Sequence, residues 1–435
     1  MFSSLFSGST HPHAPNFHPT VRTSDPTELF GELEPKDLEW TIGSGIVTET
    51  QTWYHSLKDG TFLLCQIIHS SVGMWYPTVQ FTCKIWNPVT EEKTWKSINV
   101  ANFVTPPPSA GTVKYDKRSS RSDQFTIIHK STTTDPGFSE SYTISANVDA
   151  ELQITLVVSR PALIPGFKLG KGPKGGFSYF GADENSPEGY VVHRFWPRTS
   201  CSGIVVHKGQ AIEVEGTGMF VHAIQGMRPD LIAASWNFCD FQSDELGGTS
   251  AIQMEFSTID TYGRKGAGSG GVTVNVGSVV IGGKLASVTG EVVLPEEKKA
   301  GIRDDLPIQS RARHLEPVHD PKTSYNQPTK VAFSWKGVSC VPDVKGDVAA
   351  SIVVDVGGPA EPRGLIEKVD VLAEIPYVIK AFVNYVAGTK PYVYQWLNPA
   401  ELTVTAPAAV IDGSGEGEKT ITAKGTLFNE ATFIS

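Results

Sequence analysis

Short stretches of alternating apolar and polar residues recur along most of this chain. In Val79–Trp86, the side chains of Val79, Phe81, Cys83 and Ile85 share one face while Gln80, Thr82 and Lys84 share the other. That period of two marks a strand with one buried face. The pattern returns in residues 141–148, 152–158, 272–280, 331–338, 350–356 and 419–427. Ile204–Val206 and Ala211–Val214, separated by His-Lys-Gly-Gln, read as a hairpin turning around Gly209. So many short strands broken by glycine turns predict antiparallel barrels or sandwiches. One stretch has a different period. From Pro376, residues Val378, Ile379, Phe382, Val383 and Val386 repeat every three or four positions and Gly388 stands as a stop, which predicts a short helix near the C-terminus.

Two stretches show aromatic residues among glycines and prolines in place of alternation. Gly175–Arg198 holds Phe177, Tyr179, Phe180, Tyr190, Phe195 and Trp196, and Met219–Asp244 holds Trp236 and Phe238. Both read as irregular backbone around aromatic clusters, at the seam of a two-domain protein. A length of 435 residues makes two domains the natural expectation. The boundary is placed near Pro229, giving domains over 38–228 and 229–435 behind a tail over 1–37. Residues 295–330, charged and proline-bearing, read as an exposed insertion in the second domain.

Net charge narrows the partners. The formal value is −9, and no basic run of five or more occurs, which argues against nucleic acid and against docking on anionic lipid. No stretch approaches the roughly 20 apolar residues of a membrane-spanning helix, and no secretory signal pattern opens the chain. Five cysteines (Cys65, Cys83, Cys201, Cys239, Cys340) lack C-x-x-C spacing, which suits a reducing compartment and five free thiols.

Enzyme motifs are weak. Gly266, Gly268 and Gly271 satisfy G-x-G-x-x-G formally, but the run leads into a strand-like segment, whereas a dinucleotide site needs a following helix. No G-x-S-x-G elbow, H-E-x-x-H pair or P-loop appears, so no cofactor, metal or catalytic residue is expected. What remains is an aromatic set with a few polar groups: Tyr179, Phe180, His193, Phe195, Trp196, His222, Gln225, Trp236 and Phe238. Taken singly, its polar members, with Arg194 and Arg198 beside them, read as hydrogen-bonded or ring-stacked strand residues. Taken as a set near a domain seam, these residues fit an apolar-ligand site.

The His193–Arg198 run His-Arg-Phe-Trp-Pro-Arg, with Glu49–Gly60, Gln66–Ser70, Phe220–Pro229, Ala387–Trp396 and Gly425–Ser435, resembles the fungal survival-factor family from about Leu38 to the last residue. The resemblance implies two lipocalin-like β-domains in tandem and a cytoplasmic protein tied to oxidative-stress survival. It implies carriage of ceramide or a similar apolar lipid from endoplasmic reticulum to Golgi, with peripheral contact on both membranes. The nucleus is left open as a further location. Where the family carries an Asn-Pro-Trp-Gly-Ser-Met-like run, this chain has Asn185-Ser186-Pro187-Glu188-Gly189-Tyr190, which marks a divergent member with its cargo open. Carotenoid hydratases and fungal Diels-Alderases resemble the same paired architecture, so an enzyme acting on a polyene or terpenoid between the domains is the alternative.

The first 21 residues carry no Lys, Arg, Asp or Glu, and Phe2, Leu5 and Phe6 share one helical face. That composition suits a membrane-contacting interfacial helix, in line with the acetylated amphipathic helix that the resemblance implies. Gly8 and Pro12 leave barely two turns, so a disordered tail fits the same residues. His11, His13 and His18 read as part of that tail rather than a metal site.

Overall fold

The computed structural model describes residues 16–19, 26–43, 45–73, 77–132, 135–262, 271–294, 297, 306–374 and 390–434. Two antiparallel sheets account for most of them. In the first, the spatial order is Lys93–Asn99, Thr78–Trp86, Phe62–Gly73, Gly45–Leu57, Gln210–Gln225, Gly189–His207, Leu152–Pro161, Phe138–Asn147, Phe125–Ser131 and Ser120–Arg121. The chain leaving one edge strand meets the other edge: Asp123 N–H donates to Ala101 O at 3.0 Å, and Val104 bridges Arg121. The sheet is therefore curled into a near-barrel.

The second sheet runs Lys284–Val293, Thr273–Ile281, Thr249–Thr258, Ala233–Ser243, Glu418–Phe433, Tyr392–Pro407, Asp347–Asp355, Lys330–Val338 and Gln309–Leu315. Its ends also approach, since Cys340 N–H donates to Ala286 O at 2.8 Å and Ser287 Oγ–H to Val338 O at 2.9 Å. This is the all-β, antiparallel architecture that the alternation predicts. The chain crosses from one sheet to the other through the short helix Pro229–Ile232, and a further short helix, Ala408–Ile411, precedes the last strand.

Strand pleating explains how both cores and the seam are filled. Trp53 points into the first near-barrel with Ile67, Phe81, Tyr142 and Leu156, while its neighbour Tyr54 points outward. Outward faces of the two sheets meet there: Phe62 stacks on Phe428 with ring centres 4.3 Å apart, and Tyr54 lies 4.9 Å from Phe238. The second interior is built from Phe241, Phe333, Trp335, Tyr394 and Trp396. In the hairpin around Gly209, Lys208 and Gly209 both take positive φ (51° and 80°), the geometry whose twist matches paired strands.

Three expectations change. Gly175–Arg198 is not irregular: Phe177–Phe180 pairs with Gly189–His207, so its aromatics alternate between faces of a ladder. The Met219–Asp244 stretch likewise consists of the end of one strand, the short helix, and the strand Ala233–Ser243. Within 295–330, Gln309–Leu315 is an edge strand of the second sheet, where Ser310 faces Trp335 and Ala312 faces Phe333. Its arginines made it look exposed, yet Arg311 is buried because its Nε and Nη2 each donate to the Glu291 carboxylate at 2.7 Å. The helix expected from Pro376, residues Phe2, Leu5 and Phe6, and glycines 266 and 268 lie outside the described residues.

Candidate functional site

The run His193–Arg198 sits in the middle of the 19-residue strand Gly189–His207, and the pleat divides its side chains. Trp196 turns inward and is fully buried, with Tyr142 and Phe220 each 5.1 Å away and the Arg160 guanidinium 5.8 Å over its ring. Phe195 turns to the seam and stacks on Phe167 at 5.2 Å. His193 also faces the seam, 6.0 Å from Phe195 and 6.3 Å from Trp236, and burial pushes its pKa down to about 4. Phe180, Trp236 and Phe238 lie along the same seam. Phe180 meets Phe17 and Tyr262 at 4.9 Å, Trp236 lies 5.4 Å from Phe256, and Phe238 packs on Tyr54, while Tyr179 turns to the other face of the ladder, opposite Tyr190, and stacks on Phe177 at 5.3 Å. Gln225 ends its strand with a buried Nε2 that has no hydrogen-bond partner among the described residues.

Among the described residues, the space that these side chains line is small. The cavity beside His193, lined also by Phe177, Met254 and Phe256, measures about 20 Å³. That is room for about one water. Side chains fill the seam, and the last residues of the run join its two sides. Pro197 O accepts the Ser250 hydroxyl at 3.0 Å, and Arg198 Nη1 donates to Gln242 Oε1 at 3.0 Å and Thr249 O at 3.1 Å. Its Nη2 donates to Asp244 Oδ1 at 2.9 Å. The motif thus rivets one sheet to the other.

Beside that rivet lies Asp240, 2% exposed, whose Oδ1 accepts from Gln242 Nε2 at 2.6 Å. Burial pushes its pKa up to about 7, against the opposing effects of Gln242 and Arg198. A carboxyl raised in this way favours the folded state fully below the unfolded value of about 3.8, and loses that contribution as pH rises towards 7. Asp240→Asn keeps the hydrogen bond and removes the proton linkage. Its unfolding free energy should therefore exceed that of the wild type at pH 8, by up to about 4 kcal/mol, and by little at pH 4. Urea unfolding at both values checks this, and equal stability at pH 8 would discard it.

A second constellation centres on His222, which is fully buried. Both ring nitrogens face acceptors: Nδ1 lies 2.9 Å from Asp37 O, and Nε2 lies 2.8 Å from Glu49 Oε1. The Glu49 carboxylate also accepts from Thr41 N–H at 2.9 Å, the Thr41 hydroxyl at 2.8 Å and Ile42 N–H at 2.9 Å. Burial would raise its pKa, but the His222 hydrogen bond and charge, aided by Thr41, hold it below the ordinary carboxylate value. Asp37 in turn receives Lys168 Nζ at 2.7 Å, and its peptide oxygen accepts Arg194 Nη1 at 2.6 Å. This network ties down the strap Pro35–Ile42, whose Leu38 and Trp40 enter the first core. Its chemistry is that of a structural lock.

At the far end of the first near-barrel, hairpin turns around Asp59, Thr90 and His207 leave an open cleft of about 690 Å³. Leu57, Leu63, Ile85, Val205, Ile212 and Val214 line it. His55 is buried close to that end of its strand, hydrogen-bonded through Nε2 to Thr199 Oγ1 at 3.2 Å, and burial pushes its pKa down to about 3. None of these residues was assigned to a site from the sequence, although Ile85 was read as lying on the buried face of its strand. The available signal was the hairpin around Gly209, whose strands carry Val205, Ile212 and Val214.

The Svf1 family model matches residues 2–435. The ceramide-binding protein svf1 of Schizosaccharomyces pombe is 30% identical over 436 residues, covering 99% of this chain and 98% of that protein. The ceramide-binding protein SVF1 of Yarrowia lipolytica is 32% identical over 447 residues, with coverage of 99% and 98%. Among solved structures, a putative AttH from Nitrosomonas europaea is 12% identical, with a TM-score of 0.48 and coverage of 94% and 98%.

Proposed function

We propose that this chain, which belongs to the Svf1 family, binds ceramide and carries it between endoplasmic reticulum and Golgi membranes, supporting sphingolipid synthesis and survival of oxidative stress. The observation that carries the reading is the near-complete, end-to-end match to relatives named for ceramide binding. The fold supports it with an apolar cleft of a size that suits part of a long-chain ligand. Each buried methylene is worth about 0.8 kcal/mol, so a two-chain lipid leaves a bilayer only if its carrier shelters most of that surface.

The protein is read as a carrier that returns its ligand unchanged. A reaction in the seam is the alternative; among the described residues, the space beside His193 admits about one water, which favours the carrier. We place the carrier in the cytoplasm, visiting membranes through Phe2, Leu5 and Phe6. Purified protein should co-elute with ceramide in native mass spectrometry and move it between vesicles. Leu5→Glu should leave binding in solution unchanged, release the protein from Golgi membranes and slow transfer. Absence of ceramide from the preparation and from exchange assays would overturn the carrier reading, whereas normal localisation and transfer in the variant would remove only the tail's role.

A further inference from the structure

The open end of the first near-barrel combines two properties that act on different parts of a ligand. Its wall is apolar. Leu63, Val205 and Val214 are buried within it, and Ile212, opposite Val205 across the ladder, is 45% exposed at the entrance. An isoleucine left this open on the concave side of a curled sheet is surface that a hydrocarbon chain would cover.

The rim has the opposite character. Asp59, Glu92, Glu213 and Glu215 line it, against a single lysine, Lys58. That lysine is already engaged, with Nζ 2.6 Å from Glu215. Lys208, just outside, donates to Glu92 at 2.7 Å, and Lys96 beyond it pairs with Asp149 at 2.7 Å. His207, the remaining basic group of the lining, shares a hydrogen bond of 3.1 Å with Thr94 Oγ1. A phosphate or carboxylate head would meet surplus carboxylates and lysines that are already paired, and like charges set face to face are costly. A hydroxyl or amide head would meet acceptors and the hydroxyls of Thr61, Thr90 and Ser202.

We propose that this cleft is the lipid site of the protein, and that its acidic rim restricts it to long-chain lipids whose head carries no negative charge. The proposal rests on the carrier reading above and adds the location and the basis of selection. Lipid chains enter past Ile212 towards Leu63, while the head stays among the rim hydroxyls and carboxylates. Charge at the rim, rather than chain length, separates accepted from rejected ligands.

The test uses the full chain and two probes with the same fluorescent acyl chain, ceramide and ceramide 1-phosphate. Wild type should bind the first at least about tenfold more tightly than the second. Ile212→Arg puts a cation on the apolar wall and should weaken ceramide binding at least about tenfold, with Ile212→Asn as a milder partner. Both changes fall on a half-exposed strand position, so dichroism and melting should stay native. Glu92→Lys with Glu213→Lys reverses two exposed rim charges and should raise affinity for the phosphorylated probe relative to ceramide about tenfold, in a salt-sensitive manner, the ratio of the two affinities being the readout. Full ceramide binding by folded Ile212→Arg would move the site elsewhere and leave the carrier reading standing. Unchanged rejection of the phosphorylated probe by the double variant would refute selection by the rim. A wild type that binds neither probe would remove the carrier reading itself.

Discussion

Replacing His222 by alanine should lower the unfolding free energy at pH 7 by about 3–5 kcal/mol, because it strips a buried hydrogen-bond partner from a carboxylate that has no exposure. Glu49 would keep its donors from Thr41 and Ile42 but lose the imidazole 2.8 Å away. The pH dependence gives the prediction its signature. In the wild type the Glu49 pKa is held below 4.5, so its contribution is present above that value and is lost as pH falls through the folded-state pKa. Without His222, burial is the largest remaining effect and pushes the carboxyl up, so the variant gains by protonation what the wild type loses. The difference between the two proteins should be widest near pH 7 and shrink towards pH 4. Glu49→Gln added to His222→Ala should recover part of the loss, since no buried charge then remains. Urea titrations at pH 7 and pH 4 measure all of this, with proteolysis of the Pro35–Ile42 strap as a local readout. A His222→Ala variant as stable as the wild type at pH 7 would show that the network does not hold the strap.

The strap also shows where sequence reading stops. His222 stands out in the chain, but its partners Asp37 and Glu49 come from 185 and 173 residues away, and only the closing of the sheet brings them together. Strands with one buried face were legible, as in residues 152–158, whereas the polar side of Val79–Trp86 is itself buried, with Lys84 only 2% exposed and paired with Glu367. Gly45–Leu57 was not legible, because polar residues stand on both faces and are buried there, Glu49, Gln51 and His55 on the side of Trp53 and Thr52 on the side of Tyr54, so no apolar–polar alternation shows. Aromatic density in Gly175–Arg198 did locate the contact between the two sheets. It did not reveal that this contact is filled, since filling depends on partners such as Phe256 and Phe428 from the other half. The open cleft arises from the ends of three hairpins that are distant in sequence, each ordinary by itself.

Trp196→Ala should cost about 3–5 kcal/mol, the range for removing a fully buried large aromatic. The ring is held by Tyr142 and Phe220, and Gly166 passes so close that a Cβ there would sit 2.9 Å from Trp196 Cδ1. The hole left by alanine cannot be closed by sliding strands whose registry is fixed on both sides. Trp196 Nε1 has no hydrogen-bond partner among the described residues, so Trp196→Phe gives up packing alone and should cost about 1–2 kcal/mol. Trp236→Ala, on the half-buried seam side, should remain folded. Lipid capture then sorts the possibilities. If the open cleft holds the ligand, Trp236→Ala and Trp196→Phe both bind as the wild type does. The double replacement of Trp196 and Trp236 by alanine loses capture only in step with its near-ultraviolet dichroism and melting transition. A folded Trp196→Phe that captures no lipid would instead place the ligand deeper, against the Tyr142–Trp196–Phe220 cluster, and a folded Trp236→Ala with the same defect would return it to the seam.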